Sequence, residues 1–383
     1  MGNITRVNDR LLVWGAAGID PAAISQACDV AKLPFVVGHA SLMADGHVGF
    51  GPIGLVLPTK GAVVPSLVGV DIGCGMIALE TNLTLDDLPD SLDKLYGYIA
   101  KAIPAGVGQG FDARDYDIPD VNRVKLDQKE LSRAEKQFGT LGSGNHFVEL
   151  CVDERGHIWL VLHSGSRGVG NLIAKKHMAT AREVMKRYHI KLNDPTYSYL
   201  VEDTVEFDAY INDMLWAQDY AMGNRVKMMR NAFKSLVKVV SHAEVVQQIN
   251  CHHNYCEKEH HLGQEVWLTR KGAIRMRRGD LGIIPGSMGT NTYIVRGLQS
   301  DAAFHSASHG AGRTMSRRQA RETFTPADLR EAMSEKTWGT MSAKKLLDEH
   351  PGAYKSIKDV MAAQSDLCSI EHELTQVLNY KGA

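Results

Sequence analysis

The sequence predicts an α+β fold: a single large domain over residues 1–383, with mixed or antiparallel sheets and flanking helices. Three observations point there. Apolar runs are short and broken by Gly and Pro. Two long stretches carry helical periodicity. The two patterns are mixed without the regular strand–helix–strand rhythm of a parallel sheet. A chain of 383 residues can bury a substantial core without disulfide or metal staples.

In chain order, residues 53–79, IGLVLPTKGAVVPSLVGVDIGCGMIAL, read as apolar strands broken by Gly and Pro. A helix is predicted from Thr84 to Ile103, with Thr84 as N-cap and Leu88, Leu92, Leu95, Ile99 and Ile103 at helical spacing. Residues 110–138 are polar and poorly patterned; Pro119 and the charges from Arg114 to Asp117 suit a loop. His157 to His163 is a short strand that runs into HSGSRG. Long helices are predicted from Asn171 to His189 and from Asp208 to Val240. Arg225, Lys227, Arg230, Lys234 and Lys238 on the second read as a solvated face. Glu265 to Arg270 and Ile274 to Pro285 read as strands, and Asp359 to Val377 as a helix.

Composition is that of an ordinary globular chain, 44% hydrophobic and 23% charged, which excludes disordered, collagen-like and coiled-coil classes. With 43 basic and 44 acidic residues, any surface for a polyanion must be local. Two basic clusters, RKGAIRMRR (Arg270 to Arg278) and GRTMSRRQAR (Gly312 to Arg321), suit phosphates. The six scattered cysteines form no CxxC pair and suit a reducing compartment. With no apolar run near the length of a membrane span and no secretory pattern at the N-terminus, a cytoplasmic protein is expected.

Five segments set a metal-capable or nucleophilic side chain beside glycine, which permits sharp turns and close approach. They are Asp71-Ile-Gly-Cys74-Gly, Gly142-Ser-Gly-Asn145-His146, His163-Ser-Gly-Ser-Arg167-Gly, Cys251-His252-His253-Asn254-Tyr255 and Ser308-His309-Gly-Ala-Gly-Arg313. Alone, each admits a structural reading, such as an Asx turn with a buried thiol or a satisfied loop histidine. Together, three imidazoles, a thiolate and a carboxylate are the donor stock for one or two transition-metal ions. Donor softness favours zinc, while carboxylate and phosphate oxygens suit manganese. His309 can serve as nucleophile, further ligand or hydrogen-bonded loop residue. The small-residue loop GIIPGSMGT, Gly282 to Thr290, can hug a nucleotide, and no Walker-type phosphate loop is present.

In combination these segments resemble the RtcB family of GTP-dependent RNA ligases. The resemblance runs nearly end to end, through MADGHVGFGPIG, PSLVGVDIGCGM, GTLGSGNHFVEL, LHSGSRGVGN, INCHHNY, TRKGAI, IIPGSMGT, SASHGAGRTMSR, AYKSI, VMAAQSDL and the Lys-Gly near the terminus. It implies a single α+β domain that joins RNA ends bearing a 3′-phosphate or 2′,3′-cyclic phosphate to ends bearing a 5′-hydroxyl, in tRNA splicing or RNA repair. GTP is the implied co-substrate and Mn2+, as two ions, the implied metal. By motif, Asp71, Cys74, His146, His163 and His253 are the implied metal ligands, with Cys74 bridging. Of the histidine pair, His253 is taken rather than His252 because it directly precedes Asn254. His309 is the implied nucleophile that takes GMP. Asn145, Glu149, Ser287, Gly310, Ala311, Gly312, Tyr354 and Lys381 are the implied nucleotide contacts. Ala44 stands where many members have proline, and residues 106–138 form a shorter stretch than in typical members. Some relatives depend on a small accessory protein. The alternatives are a metal-dependent cyclic phosphoesterase and an RNA-binding paralogue without sealing activity.

Overall fold

Period-two alternation builds the sheet that carries the site. The computed structural model describes residues 4–112 and 117–382. In strand His157–Ser164, Ile158, Leu160 and Leu162 point to one face, and Trp159 and Val161 to the other. Strand Gly75–Thr84 divides likewise into Ile77 and Leu79 against Met76 and Ala78. Strand Phe147–Val152 divides into Val148 and Leu150 against Phe147 and Cys151. Strands apolar on both faces must be covered on both. The first face takes Leu95 and Ile99 of helix Asp93–Ala102, and Met228 and Leu236 of helix Val205–Val237. On the second face, apolar side chains from other strands of the same sheet, Ile249, Ile283, Ile294 and Leu374, close over the centre. Glu149 and His163 continue the alternation onto this second face.

The eight-stranded sheet runs in the order Val245–His252, Gly75–Thr84, His157–Ser164, Phe147–Val152, Cys368–Lys381, Thr292–Gly297 and Leu281–Pro285. Thr337–Trp338 pairs in parallel with the end of Cys368–Lys381, and the remaining ladders are antiparallel. A six-stranded sheet runs Ile4–Asn8, Leu11–Trp14, Ala40–His47, Ile53–Thr59, Gln264–Lys271 and Asn254–His261. It contains one parallel pair, between the second and third of these. The α+β class with mixed sheets is therefore the one expected. No helix among the described residues is long and apolar enough to cross a membrane.

The two long helices run Arg167–Arg187 and Val205–Val237, close to their predicted bounds. Phe207, Tyr210, Met214, Ala217 and Ala221 form the buried stripe of the second. Its basic residues correct one expectation. Arg230, Lys234 and Lys238 are not buried, but Arg225 is fully buried.

Other segments also differ from expectation. Thr84 caps only the short turn Leu85–Asp87, where the Asp87 carboxylate accepts from the Thr84 backbone; the helix begins at Asp93. Pro65–Val68 is a helical turn, because Pro is well placed at a helix start. Within 110–138, Gln128–Gln137 is a helix, opened by a reciprocal cap between Asp127 and Glu130. Residues 113–116, part of the charge argument for a loop there, lie outside the described residues. The expected strand from Ile274 to Pro285 is two strands, Ala273–Arg275 and Leu281–Pro285, in different sheets. Gly279 turns the chain between them at φ 85°, and Asp280 accepts from the Arg277 backbone. The expected C-terminal helix is short, Ile357–Ala363, and is followed by strand Cys368–Lys381. Ladder pairing on both sides outweighs the helix propensity of its Glu, Leu and Gln residues.

Candidate active site

The five glycine-flanked segments converge. Asp71 and Cys74 share a tight turn, with the Cys74 backbone N–H donating to Asp71 O at 3.1 Å. Gly73 lies within it at φ 72°, a conformation that favours glycine. Asn250 to His253 pass the open end of strand Gly75–Thr84, and His253 N donates to Cys74 O. The end of strand His157–Ser164 brings in His163. A Cβ at Gly165 would collide with the Asp71 carboxylate, so that turn requires glycine.

Cys74 Sγ lies 3.5 Å from His146 Nε2 and 3.3 Å from His163 Nε2. His163 Nε2 is 2.9 Å from His253 Nε2, and His146 Nε2 is 3.1 Å from Asp71 Oδ2. The other nitrogen of each ring faces an oxygen: Leu141 O for His146, Asn145 O for His163 and Asn254 Oδ1 for His253. Gly272 N–H donates to the same Asn254 oxygen, which fixes that amide. Where each Nδ1 donates to its oxygen, the Nε2 atoms of His163 and His253 are left free beside Cys74, while His146 Nε2 also meets the Asp71 carboxylate. That arrangement suits a cation among them. Donor atoms of Cys74, His163 and His253 lie within 4.8 Å of one another, as do those of Asp71, Cys74 and His146. The sulfur belongs to both groups. The donor chemistry thus fits transition-metal ions.

Electrostatics agree. Burial, with neighbouring imidazoles, holds His163 and His253 well below the ordinary histidine range, so both rings are neutral and able to donate a lone pair to a metal. Burial opposes ionisation of Asp71, but His146, Cys74 and the Ser166 backbone outweigh it and bring the carboxyl to about 2. Burial and Asp71 push the Cys74 thiol well up; a bound cation reverses that preference.

His309 stands beside this group, its ring centroid 4.5 Å from that of His253. Its Nδ1 lies 2.6 Å from Asp45 Oδ2, which also accepts from the His309 backbone at 3.0 Å. Asp45 is fully buried. Burial works against its charge, but the His309 contact and nearby cations keep its pKa below the usual value. The pairing leaves the Nε2 lone pair of His309 for chemistry. Lys355 Nζ donates to Ala44 O and Gly46 O, at 3.1 and 2.7 Å, and so brackets Asp45.

A cavity of about 830 Å³ opens over these groups. Asp71, Cys74, His163, His253 and His309 line it, as do Asn145, Ser287, Gly310, Ala311, Gly312, Tyr354 and Lys381. His146 and Glu149 do not reach its wall. His146 joins the cluster from behind. Glu149 is 1% exposed, with Oε1 accepting from Asn379 at 2.7 Å and Oε2 unpartnered. Burial pushes the Glu149 carboxyl up to about 8, against the pull of Lys381. Lys381 Nζ instead reaches Glu349 Oε2 at 3.2 Å. Glu349 also accepts from Tyr354 (2.8 Å) and Arg317 (2.5 Å). The Arg313 guanidinium, a candidate phosphate clamp, donates to Met315 O, Tyr354 Oη and Asp348 O.

Sequence reasoning passes over Asp45, Lys355, Glu349 and the burial of Arg225. Asp45 and Lys355 lie in MADGH and AYKSI, which carry the resemblance without a role for these residues. Arg225 reaches the cluster from below, donating to Gly73 O and Ser164 O at 2.7 and 3.2 Å. It also lies 3.2 Å from His252 Nδ1, itself 2.8 Å from Gly73 O. His252 thus belongs to the support beneath Cys74, and His253 to the group that faces the cavity. A third group, Glu80, Asp153 and His157, has ligand spacing. Arg155 already spans both of its carboxylates, each at 2.6 Å.

Comparison with known proteins gives the lineage. The family profile described as tRNA-splicing ligase RtcB matches residues 26–125 and 113–382. The RNA-splicing ligase RtcB of Escherichia coli K12 is 41% identical over 405 residues, covering 99% of each chain. This chain belongs to the RtcB family. The tRNA-splicing ligase RtcB of Nanoarchaeum equitans is 30% identical over 89% of this chain and 87% of its own. The RNA-splicing ligase RtcB of Mycobacterium bovis is 28% identical over 88% of this chain and 95% of its own. The chain is thus an RtcB-type RNA ligase with a group of residues able to hold metal.

Proposed function

We propose that the whole chain, residues 1–383, works as one catalytic unit that joins RNA 3′-phosphate or 2′,3′-cyclic phosphate ends to 5′-hydroxyl ends. GTP is the co-substrate and manganese the metal, and the setting is tRNA splicing or RNA repair in the cytoplasm. The observation that carries this reading is the placement of His309: oriented by buried Asp45, in ring contact with His253, and open to the cavity that the cluster lines.

Asp71, Cys74, His146, His163 and His253 would hold two Mn2+ ions, with Cys74 shared. Bound there, the metal offsets phosphate charge and helps orient in-line attack. His309 Nε2 attacks the α-phosphorus of GTP, forming a P–N bond as the bond to pyrophosphate breaks. Asp45 holds the Nδ1 proton and stabilises the charge that develops on the ring. GMP then passes from His309 to the RNA 3′-phosphate, and the 5′-hydroxyl attacks that activated end and releases GMP. A cyclic phosphate is first opened by water.

Asn145, Ser287, Gly310, Ala311, Gly312, Tyr354 and Lys381 line the nucleotide's side of the cavity in this reading. Glu149, assigned to the nucleotide with them, lies behind the cavity wall with an unpartnered buried oxygen, so its contact with a base N–H would need that wall to open. The test is incubation with α-labelled GTP and manganese. An acid-labile protein–GMP adduct is expected, and none with His309→Ala. A cyclic phosphoesterase would form no adduct and would leave RNA ends unjoined.

A further inference from the structure

The cavity rim carries an apolar patch that the nucleotide chemistry leaves unused. Val48, Phe50 and Val70 line the cavity, yet they are 47%, 49% and 39% exposed. Two loops present them, residues 48–52 and 69–71. Buried Lys271 fastens both supports: its Nζ donates to Phe50 O and, at 2.9 Å, to Ser66 O. Gly51, at φ 80°, sets the first loop against Leu67 and Lys271. Val70 directly precedes Asp71. An aromatic ring is therefore held, half exposed, on the cavity lining, on loops that adjoin the metal-capable group. The residues assigned to the nucleotide include a separate bonded set, in which Lys381 and Tyr354 meet Arg317 on Glu349.

We propose that Phe50, flanked by Val48 and Val70, stacks the nucleobase of the phosphate-bearing RNA end. Every unpaired base offers a flat apolar face, and an aromatic side chain receives it without regard to sequence. A phosphate drawn to the cluster beside Asp71 carries its own base one ribose away, and Val70 directly precedes Asp71 while Phe50 lines the same cavity. The assignment rests on the RNA-ligase reading.

The test is binding of 3′-phosphorylated RNA to the full chain with manganese and without GTP. Two oligonucleotides are compared, identical except that one lacks the terminal nucleobase. The wild-type protein is expected to bind the abasic strand roughly tenfold more weakly, the scale of one base–aromatic stack. Phe50→Tyr keeps that difference. Phe50→Ala removes it, and Phe50→Leu, which retains apolar bulk, removes most of it. Equal binding of the two strands by the wild-type protein overturns the proposal. So does a difference that survives Phe50→Ala, the result expected if the patch serves a protein partner. Failure of the ligase reading looks different: the wild-type protein joins no ends and does not distinguish 3′-phosphate from 3′-hydroxyl RNA.

Discussion

At the scale of single residues, the shared sulfur makes the sharpest prediction. Cys74 belongs to both ligand groups, whereas His146 belongs to one. Cys74→Ala is expected to abolish binding of both ions and His146→Ala to remove one, as counted by metal analysis of the purified proteins. Asp45 sets the tautomer of His309, so Asp45→Asn is expected to slow protein–GMP adduct formation on the order of a hundredfold or more, with the fold intact. Glu149 gives a pH signature. Its folded-state pKa is raised to about 8 from an ordinary 4.5. The stability linked to its proton is full below about 4.5 and is lost as pH rises through about 8. Melting temperatures of the metal- and nucleotide-free protein should therefore fall from about pH 5 to about pH 8, and Glu149→Gln should flatten that slope. Glu349 has the opposite sign. Burial opposes its charge, but Lys381 and Arg317 hold the carboxyl at about 2, so its contribution is present above about 4.5 and lost toward pH 2. The glycine-flanked donors were legible because their side-chain chemistry is written in the sequence. Asp45 and Lys355 were not, because their importance lies in what they touch across the fold. Arg225 misled for the same reason: helical spacing cannot tell a solvated arginine from one packed under a cluster.

At the scale of elements, the two long helices were legible from periodicity, and the strands ending near His163 and Lys271 from their short strand-like runs. Errors fell where local and long-range preferences disagree. Residues 368–381 have helix-forming composition, but the sheet claims them from both sides. The helix Gln128–Gln137 was hidden by its polarity, although the Asp127–Glu130 pair marks its start. Asp127→Ala is expected to cost about 1 kcal/mol in chemical denaturation, the usual value of such a cap. A change well below that would mean the helix is held by its packing alone.

At the scale of the molecule, the donors come from segments far apart in sequence, and a site of this kind is absent from the unfolded chain. Ions that bind only the folded state stabilise it by mass action. The melting temperature is expected to rise with manganese concentration and to fall back with chelator, and Cys74→Ala should remove the dependence. A wild-type melting curve indifferent to manganese would contradict the assigned ligands.

The dispersal of those donors has a temporal side. Position 74 must wait for 146, or for 163 and 253, before a single ion can be gripped by either group. Contacts this distant along the chain are slow to form in folding. Uptake of the ion therefore serves as a clock: in a refolding time course, it should mark the moment the separate segments finish docking.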